Sequence, residues 1–127
     1  MSDIRGWIKE LEEAGELLRI KKPVNLKTEM GALIWESHDK ALLFENIVDY
    51  PHWKTLAQAP GTMAQIGLWF GVSAAKAVDE YAKRLAEGPT QCKLVDTGPV
   101  KEVKWLGDEA DLAKIPVNHC WAQDGGP

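Results

Sequence analysis

Apolar positions repeat with helical spacing in the first segment. Ile4, Trp7, Ile8 and Leu11 fall at i, i+3, i+4 and i+7, which predicts an amphipathic helix over Asp3 to Ala14. Ser2 or Asp3 can cap its start, and Gly15 stands where a C′ glycine ends a helix. Leu17 to Ile20 reads as a short strand that Pro23 ends. Asn25 to Thr28 offers caps for a second helix over Thr28 to His38, whose face is Met30, Leu33, Ile34 and Ser37. The run Ala41 to Val48 is short, mostly apolar and bounded by turn residues, the pattern of a buried strand. Asp49-Tyr50-Pro51 makes a turn, and Thr55 to Ala59 predicts another strand, stopped by Pro60-Gly61.

A helix is expected over Thr62 to Phe70, broken by Gly71. Ser73 can cap the next, which is the clearest helix in the chain. Its stripe is Ala74, Ala77, Val78, Tyr81 and Leu85, and Gly88-Pro89 closes it. Beyond Pro89 the texture changes. Lys93 to Thr97 and Val100 to Leu106 read as strands around a Gly98-Pro99 break, and Gly107 to Leu112 as a turn or single helical turn. A boundary near Gly88 to Thr90 divides an α/β unit, residues 1–89, from the start of a second unit, residues 90–127. The closing Asp124-Gly125-Gly126-Pro127 is turn chemistry that normally delivers the chain into another element. It predicts that a larger protein continues beyond this point.

Composition narrows the classes. Of 127 residues, 45% are hydrophobic and 27% charged, ordinary for a globular domain with its own core. A net charge of −4 without a basic stripe argues against nucleic acid. No stretch approaches the roughly 18 apolar residues of a membrane span, and Met1 to Arg5 lacks a signal peptide's basic-then-apolar order. Two distant cysteines, Cys92 and Cys120, make no disulfide framework, which points to the cytoplasm. The six tryptophans read first as packing residues and second as a ligand-facing surface.

Candidate chemistry is sparse. His38 lies at a helix end and His52 after a turn, both suited to solvated or capping roles. His119, Cys120 and Asp124 form the one cluster of metal-ligand types, yet the paired spacing of a zinc site is missing. Adjacent side chains on an extended segment point to opposite faces, which disfavours a Cys120–His119 dyad. Glu10, Glu12, Glu13 and Glu16, and separately Asp108, Glu109 and Asp111, read as solvated groups, because acid/base pairs need burial to separate their pKa values. Neither phosphate-binding glycine motif occurs; Gly125-Gly126 can bring amides near an anion, or simply make a tight turn. From the residues alone, no catalytic and no metal-binding residue is assigned.

The order of landmarks resembles one family. Glu16-Leu17-Leu18-Arg19-Ile20, Pro23-Val24, Ala41-Leu42-Leu43-Phe44-Glu45-Asn46-Ile47 with Tyr50-Pro51, the segment from Gly98 to Leu112, Ile115-Pro116-Val117 and Asp124-Gly125-Gly126 together are similar to the N-terminal region of the UbiD family of decarboxylases. The resemblance implies an α+β fold: a small N-terminal domain with a sheet flanked by helices, then the first strands of a split-barrel flavin-binding domain, with oligomerisation through a C-terminal domain. It implies reversible decarboxylation of aromatic or α,β-unsaturated carboxylic acids with prenylated FMN, a divalent manganese or magnesium ion and potassium. The family's glutamate–arginine–glutamate network and its metal ligands follow the Asp-Gly-Gly motif. The resemblance therefore carries no catalytic or metal residue onto this chain, and makes Asp124, Gly125 and Gly126 neighbours of the cofactor site. The implied partners are the acid substrate, the rest of the polypeptide or a companion subunit, and further copies in a homo-oligomer. By this resemblance the isolated chain is expected to be inactive. The alternatives are a non-catalytic interaction subunit that retains the small domain, and a different split-barrel flavoenzyme such as a reductase.

Overall fold

The computed structural model describes residues 3–124. Helix α1 spans Ile4–Glu13, strand β1 Leu17–Ile20, α2 Glu29–Glu36, β2 Ala41–Phe44, β3 Thr55–Ala57, α3 Met63–Phe70 and α4 Ala77–Glu87. The sheet runs β1-β2-β3. β1 pairs parallel with β2, Leu17 opposite Ala41 and Ile20 opposite Phe44; β2 pairs antiparallel with β3. A parallel pair needs a long crossover, and α2 supplies it.

Central β2 is buried along its whole length, so it reads as a continuous apolar run with no alternation. Its two faces pack separate cores. Leu42 and Phe44 meet Met30, Val24 and Ile47 on the α2 side. Ala41 meets Trp7 and Leu11 of α1 on the other, with Leu68 of α3 alongside. The mixed helices and sheet make the α+β fold that the sequence predicts.

The caps follow local chemistry. Asp3, not Ser2, caps α1, its carboxylate accepting from Gly6 N at 2.7 Å; Ser2 lies outside the described residues. Thr62 Oγ1 accepts from Gln65 N at 3.2 Å to start α3, and Gly71 ends it at φ 74°, a conformation that favours glycine.

Several expectations need correction. α2 stops at Glu36, two residues short of His38, and Ser37 leaves the helix to donate its hydroxyl to Lys40 O at 3.1 Å. The strand expected over Ala41 to Val48 ends at Phe44. Asn46 O then accepts from Val24 N at 3.1 Å, and Ile47 keeps only an isolated bridge to Val24. β3 ends at Ala57 because Gln58 turns to φ 53°. Residues 74–76 form a 3₁₀ turn before α4 begins. Of α4's predicted stripe, only Ala77 is buried.

The larger correction concerns the tail. Lys93 to Thr97 and Val100 to Leu106 form no strands. Single 3₁₀ turns stand at Pro99–Lys101, Gly107–Glu109 and Leu112–Lys114. The apolar side chains there are open to solvent; Leu94 is 95% and Val100 89% exposed. A strand needs neighbours to take its backbone hydrogen bonds, and the described residues offer none here. Among the tryptophans only Trp7 is buried in the core; the other five are partly open to solvent, and Trp69, Trp35 and Trp121 pack through edge-on ring contacts.

Candidate functional site

The described end of the chain is not loose. Residues 112–124 form a strap over the start of α2 and the loop after β2. His119 N donates to Leu26 O at 3.1 Å, and His119 O accepts from Thr28 N at 3.3 Å, so one residue of the strap extends the Val24–Thr28 segment as a parallel bridge. Tyr50 Oη donates to Ala113 O at 2.7 Å. Pro116 is buried, and the Trp121 ring meets Trp35 edge-on with centroids 5.4 Å apart.

Gly31, in the first turn of α2, makes this docking possible. A Cβ there would lie 2.6 Å from Cys120 O and 2.8 Å from Cys120 Cα. Only a residue without a side chain lets two backbones approach so closely. Sequence reasoning passed over Gly31. The available signal was a glycine inside a helical pattern, where it costs helix stability unless packing requires it.

Between strap and domain lies a cavity of about 340 Å³ lined by Asn25, Lys27, Asp49, Tyr50, Val117 and His119 among others. His119 thus sits at a junction and not at a helix end or in a paired zinc motif. Cys120 does not engage it in hydrogen bonding: Cys120 Sγ accepts from Asn118 Nδ2 at 3.0 Å. Asp124 Oδ2 accepts from Trp121 N at 2.9 Å, and Asp124 N donates to Trp121 O at 3.1 Å, so this carboxylate closes the strap's last described turn. Gly125 and Gly126 lie outside the described residues. His38 stacks edge-on against Trp35 at 5.9 Å, and His52 is exposed in its turn. Asp111 caps the turn at Leu112, accepting from Ala113 N at 2.9 Å.

The first helix's carboxylates are not all solvated. Arg19 on β1 donates from Nε and Nη2 to Glu12 of α1 at 2.6 and 2.8 Å, and from Nη1 to Glu45 at 2.8 Å. Lys54 adds a 3.2 Å contact to Glu45, and Lys40 pairs with Glu16 at 3.0 Å. The Arg19 hydrogen bond holds the Glu12 carboxyl below its ordinary value; Lys54, then Arg19, do the same for Glu45. Both carboxylates are therefore fixed as anions at neutral pH, with no proton to give. This glutamate–arginine–glutamate cluster ties α1 to β1 and the end of β2; it is not an acid/base device.

Among the described residues, no three His, Cys, Asp or Glu side chains converge as a metal ion would need. No described helix is long and apolar enough to cross a membrane. Asp124 Oδ2, the last described carboxylate of the strap, already accepts from Trp121 N.

Comparison with known proteins places the fold. Residues 8–85 match the model of the 3-octaprenyl-4-hydroxybenzoate carboxy-lyase N-terminal domain, UbiD_N, and the chain belongs to this family. The structure is similar to an evolved dimeric form of the UbiD-class enzyme HmfF from Pelotomaculum thermopropionicum in complex with prFMN. The TM-score is 0.84 at 29% identity, over 100% of this chain and 30% of that one. HmfF of the same organism in complex with FMN superposes with TM-score 0.82 at 29% identity, over 98% of this chain and 28% of that one. The apo 3,4-dihydroxybenzoic acid decarboxylase AroY of Klebsiella pneumoniae shares the fold at 22% identity and TM-score 0.61, over 68% of this chain and 20% of its own. The chain thus spans under a third of the length of these structures.

Proposed function

We propose that this chain is the N-terminal lobe of a UbiD-like carboxy-lyase that reversibly decarboxylates an aromatic or α,β-unsaturated carboxylic acid with prenylated FMN. The observation that carries this reading is the match along the whole chain to a UbiD-class enzyme holding prFMN. Residues 1–89 are the small domain, and residues 90–127 open the flavin-binding domain. The family match ends at residue 85 and α4 ends at Glu87, which supports that division.

Loss of CO₂ leaves an electron pair, for which the bound prenylated flavin supplies the sink. The residues of this chain do no proton transfer in that step. They position. Gly31, Tyr50 and the Leu26–Thr28 backbone clamp the strap as far as Asp124, and in this reading Asp124, Gly125 and Gly126 are neighbours of the cofactor site. The manganese or magnesium ion, and potassium, are held by groups beyond this lobe.

The test uses a polypeptide in which this sequence is followed by the remaining domains. It purifies with flavin absorbance and releases CO₂ from an aromatic or unsaturated acid. A polypeptide that oxidises reduced nicotinamide and leaves carboxylic acids untouched would instead be a split-barrel reductase.

A non-catalytic interaction subunit is the second reading. The uncovered apolar residues of α4 favour it. It predicts a natural frame that ends near Pro127 and copurifies with a different polypeptide.

A further inference from the structure

The cleft of about 340 Å³ between the strap and the domain collects unpaired polar side chains. Lys27, Asp49 and His119 line it, and among the described residues the side chains of these three make no hydrogen bond and no ion pair. Asn25 Oδ1 accepts from Lys27 N at 2.8 Å, which fixes the amide and leaves Nδ2 as an unused donor beside the same cleft.

Neighbouring cavities differ. The cleft beside α3 and α4 has apolar walls. In the groove at the start of α1, Arg19 and Lys54 are already paired with Glu45. Here a cation and a carboxylate stand in one cleft without neutralising each other, since Lys27 and Asp49 form no ion pair. Two opposite charges held apart suit an occupant that carries both, its anion toward Lys27 and its cation toward Asp49. Leu26, Val48 and Val117 give the rest of that occupant an apolar wall. The volume lies at the small end of the roughly 300–1,000 Å³ range of ligand clefts, which suits a molecule of few atoms.

The cleft is built from two parts. Val117 and His119 come from the strap and the other walls from the domain, so it exists only while the strap is docked. Backbone strain sits at its edge. Thr28, next to Lys27, has φ 64°, and Asp49 has φ 69°. A β-branched residue rarely adopts that conformation, and such strain persists where the surrounding contacts over-determine it. Thr28 N also donates to His119 O at 3.3 Å, so the strained residue is itself an anchor of the strap.

We propose that this cleft binds a free α-amino acid with an apolar side chain. The ligand's carboxylate meets Lys27, with Asn25 Nδ2 beside it. Its ammonium meets Asp49, and its side chain lies against Leu26, Val48 and Val117. Strap and domain each hold part of the ligand, so occupancy stabilises the docked strap and docking is required for binding. The site is independent of the decarboxylase reading.

Titration of the 127-residue chain with L-leucine to about 10 mM, where a contact of millimolar affinity is nearly saturated, tests it by amide chemical shifts. Saturable shifts are expected at Lys27, Asp49 and Val117. 4-Methylpentanoate, which lacks the ammonium, and L-leucinamide, which lacks the carboxylate, each bind about ten-fold more weakly or worse. L-leucine loses as much on Lys27→Gln and on Asp49→Asn, where asparagine tolerates the same positive φ. Gly31→Ala lines no part of the cleft but removes strap docking, and it abolishes binding. On the native chain, L-leucine slows protease cleavage near Trp121. Circular dichroism confirms that each variant is folded, and if Gly31→Ala is not, the protease result on the native chain decides the coupling. A native chain without saturable shifts overturns the proposal. So does 4-methylpentanoate or L-leucinamide binding as tightly as L-leucine, undiminished binding by either cleft variant or by folded Gly31→Ala, or cleavage that L-leucine leaves unchanged.

Discussion

Gly31 lies directly against the carbonyl of Cys120, 89 residues further along the chain, closer than any side chain would allow. Gly31→Ala tests what that approach is worth. Helix propensity alone would make alanine better by about 1 kcal/mol. The atoms in the way are backbone, however, and overpacking of this kind costs roughly 1–3 kcal/mol. The clash wins if the domain insists on the strap. The expected outcome is detachment of residues 112–124, read as new protease cleavage near Trp121 and a red-shifted tryptophan emission. A variant more stable than the native chain with the same cleavage pattern would show that the strap is not docked this way.

Tyr50 holds the other end of the strap through its 2.7 Å hydrogen bond to Ala113 O. Tyr50→Phe removes one neutral hydrogen bond, about 1 kcal/mol. Amide exchange is expected to rise about five-fold over residues 112–119 and to stay unchanged in β2. Equal acceleration in both places would mean that Tyr50 supports the whole domain.

The Glu12–Arg19–Glu45 cluster gives the domain an acid dependence. Each carboxyl titrates in the folded chain below its ordinary 4.5, so its contribution to stability is full above 4.5 and is lost as the pH falls through the lower folded value. Urea midpoints are therefore expected to fall on acidification below about 4.5, and Arg19→Gln to flatten that fall. An Arg19→Gln profile parallel to the native one would remove the cluster from the acid dependence.

The tryptophans divide by burial. Trp7 is 2% exposed and packs edge-on against Trp69 with centroids 5.0 Å apart. Trp7→Ala is expected to cost about 3–5 kcal/mol in chemical denaturation. Trp53→Ala, at an exposed position, is expected to cost less than about 0.5 kcal/mol. Comparable losses would contradict the core assignment.

Much of the α/β unit was legible because local signals and tertiary packing agree. Asp3 and Thr62 cap where their side chains can reach an amide, and β1 lies at Leu17–Ile20 as its apolar run and Pro23 imply. The stripe of α4 was legible as a helix but not as to which way it faces. Periodicity reports an apolar side without saying whether this chain or another covers it. The tail misled for a related reason: Val100, Val103 and Trp105 have strand-forming side chains, but a strand exists only where a neighbour takes its hydrogen bonds. The strap was the least legible part. Beside Tyr50 and the Trp35–Trp121 contact, its anchors are backbone groups of Leu26, Thr28 and His119, which carry no side-chain signature, and a glycine whose role depends on a residue far along the chain.

The role of a positioning lobe is tested most directly by titrating the 127-residue chain with prenylated FMN and following flavin fluorescence. The account predicts no saturable change, because it assigns the flavin site to domains beyond this lobe, and among the described residues no three His, Cys, Asp or Glu side chains converge on a metal. Stoichiometric, saturable binding by this chain alone would contradict it.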